Sequence, residues 1–384
     1  MIGLDVISAV IFFALVSIMV VRDRKNIEFS HGIILKRWRG GIERIDRFVA
    51  KHRGFLHYMG LLSIVIGILA GIVGVGYITY CAVTLTRCFG LVLPSVGGVE
   101  YPGPVVSIPF WYWLVAIFVI VATHESMHAV LARAAKVPVK SYGLILLLAL
   151  PIGAFVDPDN KKIKKLAAIS KMKIFAVGSF ANFITAGLML LLILVTNLVA
   201  AYFVQPMPSG VEVQSTVAGS PADAVKLSGI IISVNGNGIK SSNYLHYLVT
   251  SFRPYENINI TTTSGTFKLK TAPNPINQSL AYIGINTRDV HMYKFFPGYL
   301  AGFALDSLIS WNTLLSWIGV LSVAVGVVNM LPIKPLDGGL MFQEIWDKIF
   351  KKKAKLVGKI VSITLFALII FNLFVVWALR TFVL

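Results

Sequence analysis

The sequence predicts a polytopic α-helical membrane protein of about six transmembrane helices plus a re-entrant hairpin, with an α+β domain inserted late in the chain. Three observations predict it. Of the 384 residues, 56% are apolar and 14% charged, against about 45–50% and about 25% in soluble proteins, and mean hydropathy is +0.78. Polar surface that scarce cannot cover a water-soluble globule, which excludes a purely cytosolic enzyme. Several apolar runs reach the roughly 20 helical residues that a bilayer crossing requires. One segment, 208–290, departs from this pattern and alternates apolar with polar positions as strands do.

The apolar runs are 4–21, 59–85, 111–131, 175–204, 313–331 and 357–379. The first has Arg22, Arg24 and Lys25 behind it and no basic residue ahead of it, so it reads as a span rather than a cleaved signal peptide. Gly67 and Gly71 in the second form a small-xxx-small pair suited to close helix packing. Cys81 and Cys88 are too few for a disulfide framework or a cysteine-rich zinc site, and read as one core and one loop residue. The cluster Trp111-Tyr112-Trp113 suits an interfacial belt at the mouth of the third span. Residues 142–155 are apolar but short and broken by Pro151, which fits a re-entrant hairpin better than a span. The inserted domain reads as strands at 211–217, 230–234, 258–263, 267–271 and 282–286 with two short helices. Ser220-Pro221 suits a helix start, Asn235-Gly236 is a strong turn signal and Ser264-Gly265 a weaker one. An amphipathic stretch, 295–311, leads into the fifth span.

A formal charge of +18 would raise nucleic acid as a partner for a soluble domain. Here 26 of the 35 basic residues fall in three segments, 22–53, 133–173 and 334–359, which alternate with six spans. The positive-inside rule puts those segments in the cytoplasm, and both termini and the inserted domain outside. The charge is topological, and no nucleic acid is needed to explain it. The chain thus divides into a first transmembrane helix with a basic cytoplasmic loop (1–58), a transmembrane core (59–205), the extracytosolic domain (206–292) and a second stretch of transmembrane core with the last helix (293–384).

Within the third span lies His124-Glu125-Ser126-Met127-His128, an H-E-x-x-H pattern. Spacing of i and i+4 sets both imidazoles on one helix face, where they can share a metal ion, and Glu125 follows the first ligand closely enough to reach a metal-bound water. Charged groups at a span's centre cost about 2.5–3.5 kcal/mol each on insertion scales, so ionisable residues there are functional candidates. Zinc needs a third protein ligand and an open position. Asp337 is the candidate, in a Pro- and Gly-rich run (Pro332, Pro335, Gly338, Gly339) that breaks the helix just past the fifth span. Asp306 is its rival, but lies towards the outer side, whereas H-E-x-x-H and Asp337 both lie towards the cytoplasmic side.

These residues, with Gly153-Ala154-Phe155-Val156-Asp157-Pro158-Asp159, Gly178-Ser179-Phe180-Ala181-Asn182 and Asn329…Pro332…Leu336-Asp337-Gly338-Gly339, resemble the site-2 protease family of intramembrane zinc metalloproteases, archaeal-type members with a single PDZ-like domain above all. The inserted domain, with Gly210-Val211-Glu212-Val213 and Gly219-Ser220-Pro221-Ala222, resembles a circularly permuted PDZ domain. The resemblance implies zinc held by His124, His128 and Asp337, with Glu125 as catalytic base. It also implies that Asn182 and Asn329 engage substrate backbone or the oxyanion, interhelical hydrogen bonding being the alternative for each. Ser126-Met127 departs from the family's usual Phe-Ser at positions that do not bind metal, and Gly229-Ile230 replaces the usual Gly-Asp of the PDZ domain, which weakens the case for capture of a peptide carboxylate. The expected function is hydrolysis of a peptide bond in or near a transmembrane helix of a membrane-anchored protein substrate, in a multi-pass protein of the cell membrane. The alternative is a non-catalytic membrane adaptor that uses the PDZ-like domain and keeps a structural metal site.

Overall fold

The computed structural model describes residues 4–23, 27–30, 33–38, 40–147, 150–203, 206–293 and 298–382. They form two compact units, one of Met1–Ile193 with Trp311–Leu384 and one of Leu194–Ser310.

Helix α1 spans Leu4–Arg22. The basic segment after it, expected as loop, contains the antiparallel strands β1 (Ile27–Ser30) and β2 (Ile33–Trp38), because Ile33-Ile34-Leu35 finds a sheet to join. Helix α2 (Ile42–Lys51) is amphipathic, burying Val49, and α3 (Arg53–Thr84) follows it directly. The strands β3 (Leu91–Ser95) and β4 (Val105–Pro109) pair in parallel ahead of α4 (Phe110–Ala134). Between α3 and β3 the structure joins Cys81 to Cys88 in a disulfide. The two were expected as separate core and loop residues. Composition alone could not show that the chain turns at Leu85, in the left-handed region at φ 52°, and brings Cys88 back beside the helix.

The stretch expected as a re-entrant hairpin is an antiparallel β-hairpin, β5 (Val139–Leu147) and β6 (Leu150–Pro158), which β2 extends into a four-stranded sheet of order β1-β2-β5-β6. Residues 148 and 149 lie outside the described set. Asp159 then caps α5 (Asn160–Lys164), accepting from the Lys161 and Lys162 amides, and α6 spans Ala168–Phe203.

The second unit contains the strands β7 (Pro206–Thr216), β8 (Ile230–Val234), β9 (Asn237–Gly238), β10 (Asn257–Thr262), β11 (Gly265–Lys270), β12 (Ala272–Pro273), β13 (Ala281–Tyr282) and β14 (Ile285–Tyr293). Its main sheet has the order β11-β10-β8-β7-β14. Two helices accompany it: α7 (Pro221–Ala224), with Ser220 as N-cap, and α8 (Ser242–Ser251). Asn235 and Gly236, at φ 47° and 82°, make the tight β8–β9 turn that their sequence announces. The strand expected at 282–286 is divided, because Gly284 takes φ 76° between β13 and β14.

Helix α9 (Gly298–Asn329) begins well before the expected span, so the amphipathic stretch continues into it as helix; residues 295–297 lie outside the described set. The chain ends with α10 (Asp337–Phe350), α11 (Ala354–Ile370), a π-helical turn (Phe371–Val376) and α12 (Trp377–Phe382). Lys351, at φ 47°, breaks α10 from α11, and α11 folds back on it so that Gly358 faces Gln343 and Trp346.

Among the described residues five segments are long and apolar enough to cross a membrane: Arg53–Thr84, Phe110–Ala134, Ala168–Ala201, Phe303–Asn329 and Asp337–Leu379, the last being the run that Lys351 bends. Helix α1 is apolar but shorter. At the centre, Ala116 and Ile120 of α4 pack with Met189 of α6 and with Leu315 and Ile318 of α9. The small-residue face of α3 meets the chain between α9 and α10. A Cβ at Gly71 would lie 2.7 Å from the Met330 carbonyl oxygen and 2.7 Å from the Phe342 ring, so glycine lets that loop sit directly on the helix.

Candidate metal centre and active site

His124 and His128, one turn apart on α4, turn their Nε2 atoms towards each other at 3.1 Å. Asp337, the first residue of α10, brings its Oδ2 to 3.1 Å from both. The glycines after it permit this approach: a Cβ at Gly338 would strike the Met330 carbonyl group. Among the described residues these three are the side chains grouped so that they could share a metal ion, and Asp306 is not with them.

The outer faces of both imidazoles are fixed. His128 Nδ1 donates to the Ile174 carbonyl oxygen of α6 at 2.6 Å, which leaves Nε2 bare towards Asp337. His124 Nδ1 lies 3.1 Å from the Asn182 amide nitrogen, while Asn182 Oδ1 is buried without a hydrogen-bond partner. If His124 also keeps Nε2 bare, its Nδ1–H needs an acceptor. Turning the amide end over supplies Oδ1 to it and removes the orphan.

Two bare imidazole nitrogens and a carboxylate oxygen facing one point are three acceptors without a donor between them, an arrangement a cation resolves. Tetrahedral zinc ligands at about 2.0–2.1 Å lie roughly 3.3 Å from one another, close to the separations here. Space for an ion is kept by Gly178 of α6, whose Cβ would lie 2.7 Å from His124 Nε2 and would strike His128 Nε2. The residues therefore fit a zinc ion with three protein ligands.

Glu125 stands beside the cluster and outside it. Its Oε2 accepts the Val156 amide of β6 at 2.9 Å, which anchors the carboxylate to the sheet. It lines a cavity of about 390 Å³ together with His124, Asp337, Asn329, Gly153 and Ala154. It also borders an apolar cavity of about 550 Å³ that Phe12 and Val16 of α1, Phe118 of α4 and Leu144 of β5 enclose.

The structure thus brings together His124, Glu125, His128, Asp337, Asn182 and Asn329, with the two asparagines in different surroundings. Asn329 lines the cavity. Asn182 is fully buried, its amide nitrogen 3.1 Å from His124 Nδ1, and is not among the residues that line the cavity; that contact is of the interhelical kind named above as its alternative. The contributions of Ile174, Val156 and Gly178 were not read from the sequence. Gly178 and Asn182 stand at i and i+4 on α6, which was the available signal that one face of α6 meets the H-E-x-x-H helix.

The model for peptidase family M50 matches residues 112–372, about two thirds of the chain. The chain belongs to peptidase family M50. This is the family of site-2 proteases, and membership implies an intramembrane zinc metalloprotease. An uncharacterized protein of Methanocaldococcus jannaschii is 22% identical to this M50 chain over 361 residues, 92% of it and 88% of the relative. A Chlamydia pneumoniae protein described provisionally as a zinc metalloprotease is 35% identical over 68 residues, 17% of this chain and 11% of its own length. Among solved structures, the PDZ domain of an SdrC-like protein from Listeria monocytogenes aligns with 21% of this chain and 87% of its own, at 24% identity and a TM-score of 0.18.

Proposed function

We propose that this M50 peptidase cuts a peptide bond in or near a transmembrane helix of a membrane-anchored protein, the step known as regulated intramembrane proteolysis, with zinc held by His124, His128 and Asp337. The observation that carries this reading is the convergence of three acceptors on the clear space beside Gly178, with a carboxylate that is not one of them alongside. A structural zinc site would take four protein ligands and would need no such carboxylate. Bound there, zinc would acidify a water and polarise the scissile carbonyl.

The chain's own groups supply the rest. With Oε2 held by the Val156 amide, Glu125 takes a proton on its other oxygen and returns it to the leaving amine. Asn329 lines the cavity wall, where its amide can donate to the developing oxyanion. A helical substrate hides its backbone in its own hydrogen bonds and must be unwound before cleavage. Strand β6 is an edge of its sheet and carries Gly153 and Ala154 along the cavity, so an unwound segment can pair with it. The neighbouring apolar cavity accepts a large apolar side chain, and α1, as one wall of it, is placed to gate access.

The orientation we propose has both termini and the PDZ-like domain (206–292) outside and the zinc site nearer the cytoplasm. The distribution of basic residues supports it. So does the Cys81–Cys88 disulfide at the end of α3 remote from Arg53, since disulfides persist in oxidising compartments. The test is cleavage of a transmembrane substrate co-reconstituted with wild type, Glu125→Gln and His124→Ala, with zinc content measured in parallel. Glu125→Gln is expected to keep one zinc and lose cleavage, while His124→Ala loses both. Equal cleavage by wild type and Glu125→Gln would overturn the reading.

A further inference from the structure

The ends of three membrane-length helices meet around a third cavity, of about 210 Å³, whose wall sets basic side chains beside Leu56, Leu131, Ala134 and Ala135. Arg53 and His57 come from the first turns of α3, Ser170 and Lys173 from the first turns of α6, and Lys136 from the residue pair just past α4. No carboxylate lines it, and no ion pair among the described residues involves Arg53, Lys136 or Lys173.

Of the three cations, Lys173 is held in place by its neighbours. The stem of Lys173 packs on α3, where a Cβ at Gly60 would lie 2.9 Å from its Cδ, and its Nζ donates to the His57 carbonyl oxygen at 3.3 Å. Lys136 sits at φ 59°, a left-handed conformation in which glycine would cost less, so a side chain is kept there against local preference. The helix ends add to the field. Helices α3 and α6 both present N-termini, whose dipoles favour an anion; in α6 the Ser170 and Lys171 amides already bond the Ala167 carbonyl oxygen. The opposing C-terminus of α4 is muted, because the amides of Ala135, Lys136 and Val137 already bond its last carbonyl oxygens.

Basic residues at helix ends are general in membrane proteins. A concave space that collects three of them with a histidine and a serine, and no acid, is not. Its volume exceeds that of several waters at about 30 Å³ each, and it lies at the ends of helices that are long and apolar enough to cross a bilayer. We propose that this crevice binds a phosphate group, Arg53, Lys136 and Lys173 supplying the charge and Ser170 a hydroxyl donor, with an anionic phospholipid headgroup as the source that its position at the ends of the spans favours.

The full-length protein in nanodiscs of neutral phosphatidylcholine, titrated with phosphatidylglycerol and analysed by native mass spectrometry, tests this. One tightly retained phosphatidylglycerol is expected on wild type. Two cations near a headgroup contribute about 1 kcal/mol each, so Lys136→Gly with Lys173→Gln is expected to weaken retention about 10- to 30-fold. Lys352→Gln with Lys353→Gln, in the exposed turn before α11, is expected to retain it as wild type does. The single variant Lys136→Gly removes a charge while suiting the backbone, so lost retention with an unchanged or raised melting temperature assigns the effect to charge and not to misfolding. A melting temperature raised by millimolar inorganic phosphate and not by phosphatidylglycerol, and lowered again by the double variant, would support the phosphate site and name the free anion as its source. Retention by the double variant equal to wild type, or equal losses in the double variant and the Lys352/Lys353 control, would overturn the proposal.

Discussion

Asn182 separates two kinds of contribution to the same chemistry. Behind His124 it would fix ring orientation and tautomer; in the cavity it would touch substrate. Partners behind a metal ligand typically change metal affinity by about 10- to 100-fold. Asn182→Leu is therefore expected to lower zinc affinity by that factor, read by competition with a chelator, whereas Asn182→Asp keeps an acceptor and most of the affinity. A fall in kcat with zinc affinity unchanged would instead return Asn182 to the substrate. The two histidines were legible as candidate metal ligands because H-E-x-x-H is a local pattern: i and i+4 share a face whatever the helix packs against. Asp337 was legible as a candidate because Pro332, Pro335 and Gly338 stop a helix near the right depth. The bond from Val156 to Glu125 was not legible, since a backbone amide carries no signature in sequence.

At the scale of elements, the site depends on how closely α3 admits the Met330 loop and on how α2 is tied to α4. Gly71→Val puts methyl groups where the Met330 carbonyl and the Phe342 ring already sit. Overpacking of this kind costs about 1–3 kcal/mol, and because that loop leads to Asp337, a lower melting temperature is expected to come with partial loss of zinc. Helix α2 is tied by Asp46, whose carboxylate accepts two hydrogen bonds from Arg133 at 2.6 and 2.7 Å. Those bonds hold the Asp46 carboxyl below its ordinary pKa. Its contribution is thus present above the unfolded value near 3.9 and is lost as pH falls through the folded value. Both side chains are partly exposed, so Asp46→Asn is expected to cost no more than about 1 kcal/mol at pH 7, and the gap in melting temperature between variant and wild type should close below about pH 4. The long apolar helices were legible from the length and hydropathy of their runs, whereas the short helices α2, α5 and α10 were not. The strands β1 and β2 were not, because Lys36, Arg37 and the surrounding basic residues read as solvated loop until β5 offers them a partner.

For the molecule as a whole, we propose that the domain between α6 and α9 screens substrates by their extracytosolic part. Replacing 208–290 by a short linker is expected to leave cleavage of a substrate with a minimal ectodomain within a few-fold of wild type. The same change should admit substrates with large ectodomains that wild type refuses; unchanged discrimination between the two in a reconstituted cleavage assay would sink the idea. The sequence by itself determined that this is a membrane protein, that one domain departs from the helical pattern, and that two histidines and a glutamate lie in one span. Each of these rests on composition or on a period of a few residues, which the chain carries without folding. Only the tertiary structure decided that Cys81 meets Cys88, that the apolar hairpin is part of a β-sheet, that Asn182 lies against His124 and that Gly178 leaves space beside the imidazoles. Those facts depend on which helix face meets which, and that is settled by packing between residues far apart in the chain, where no local period reports it.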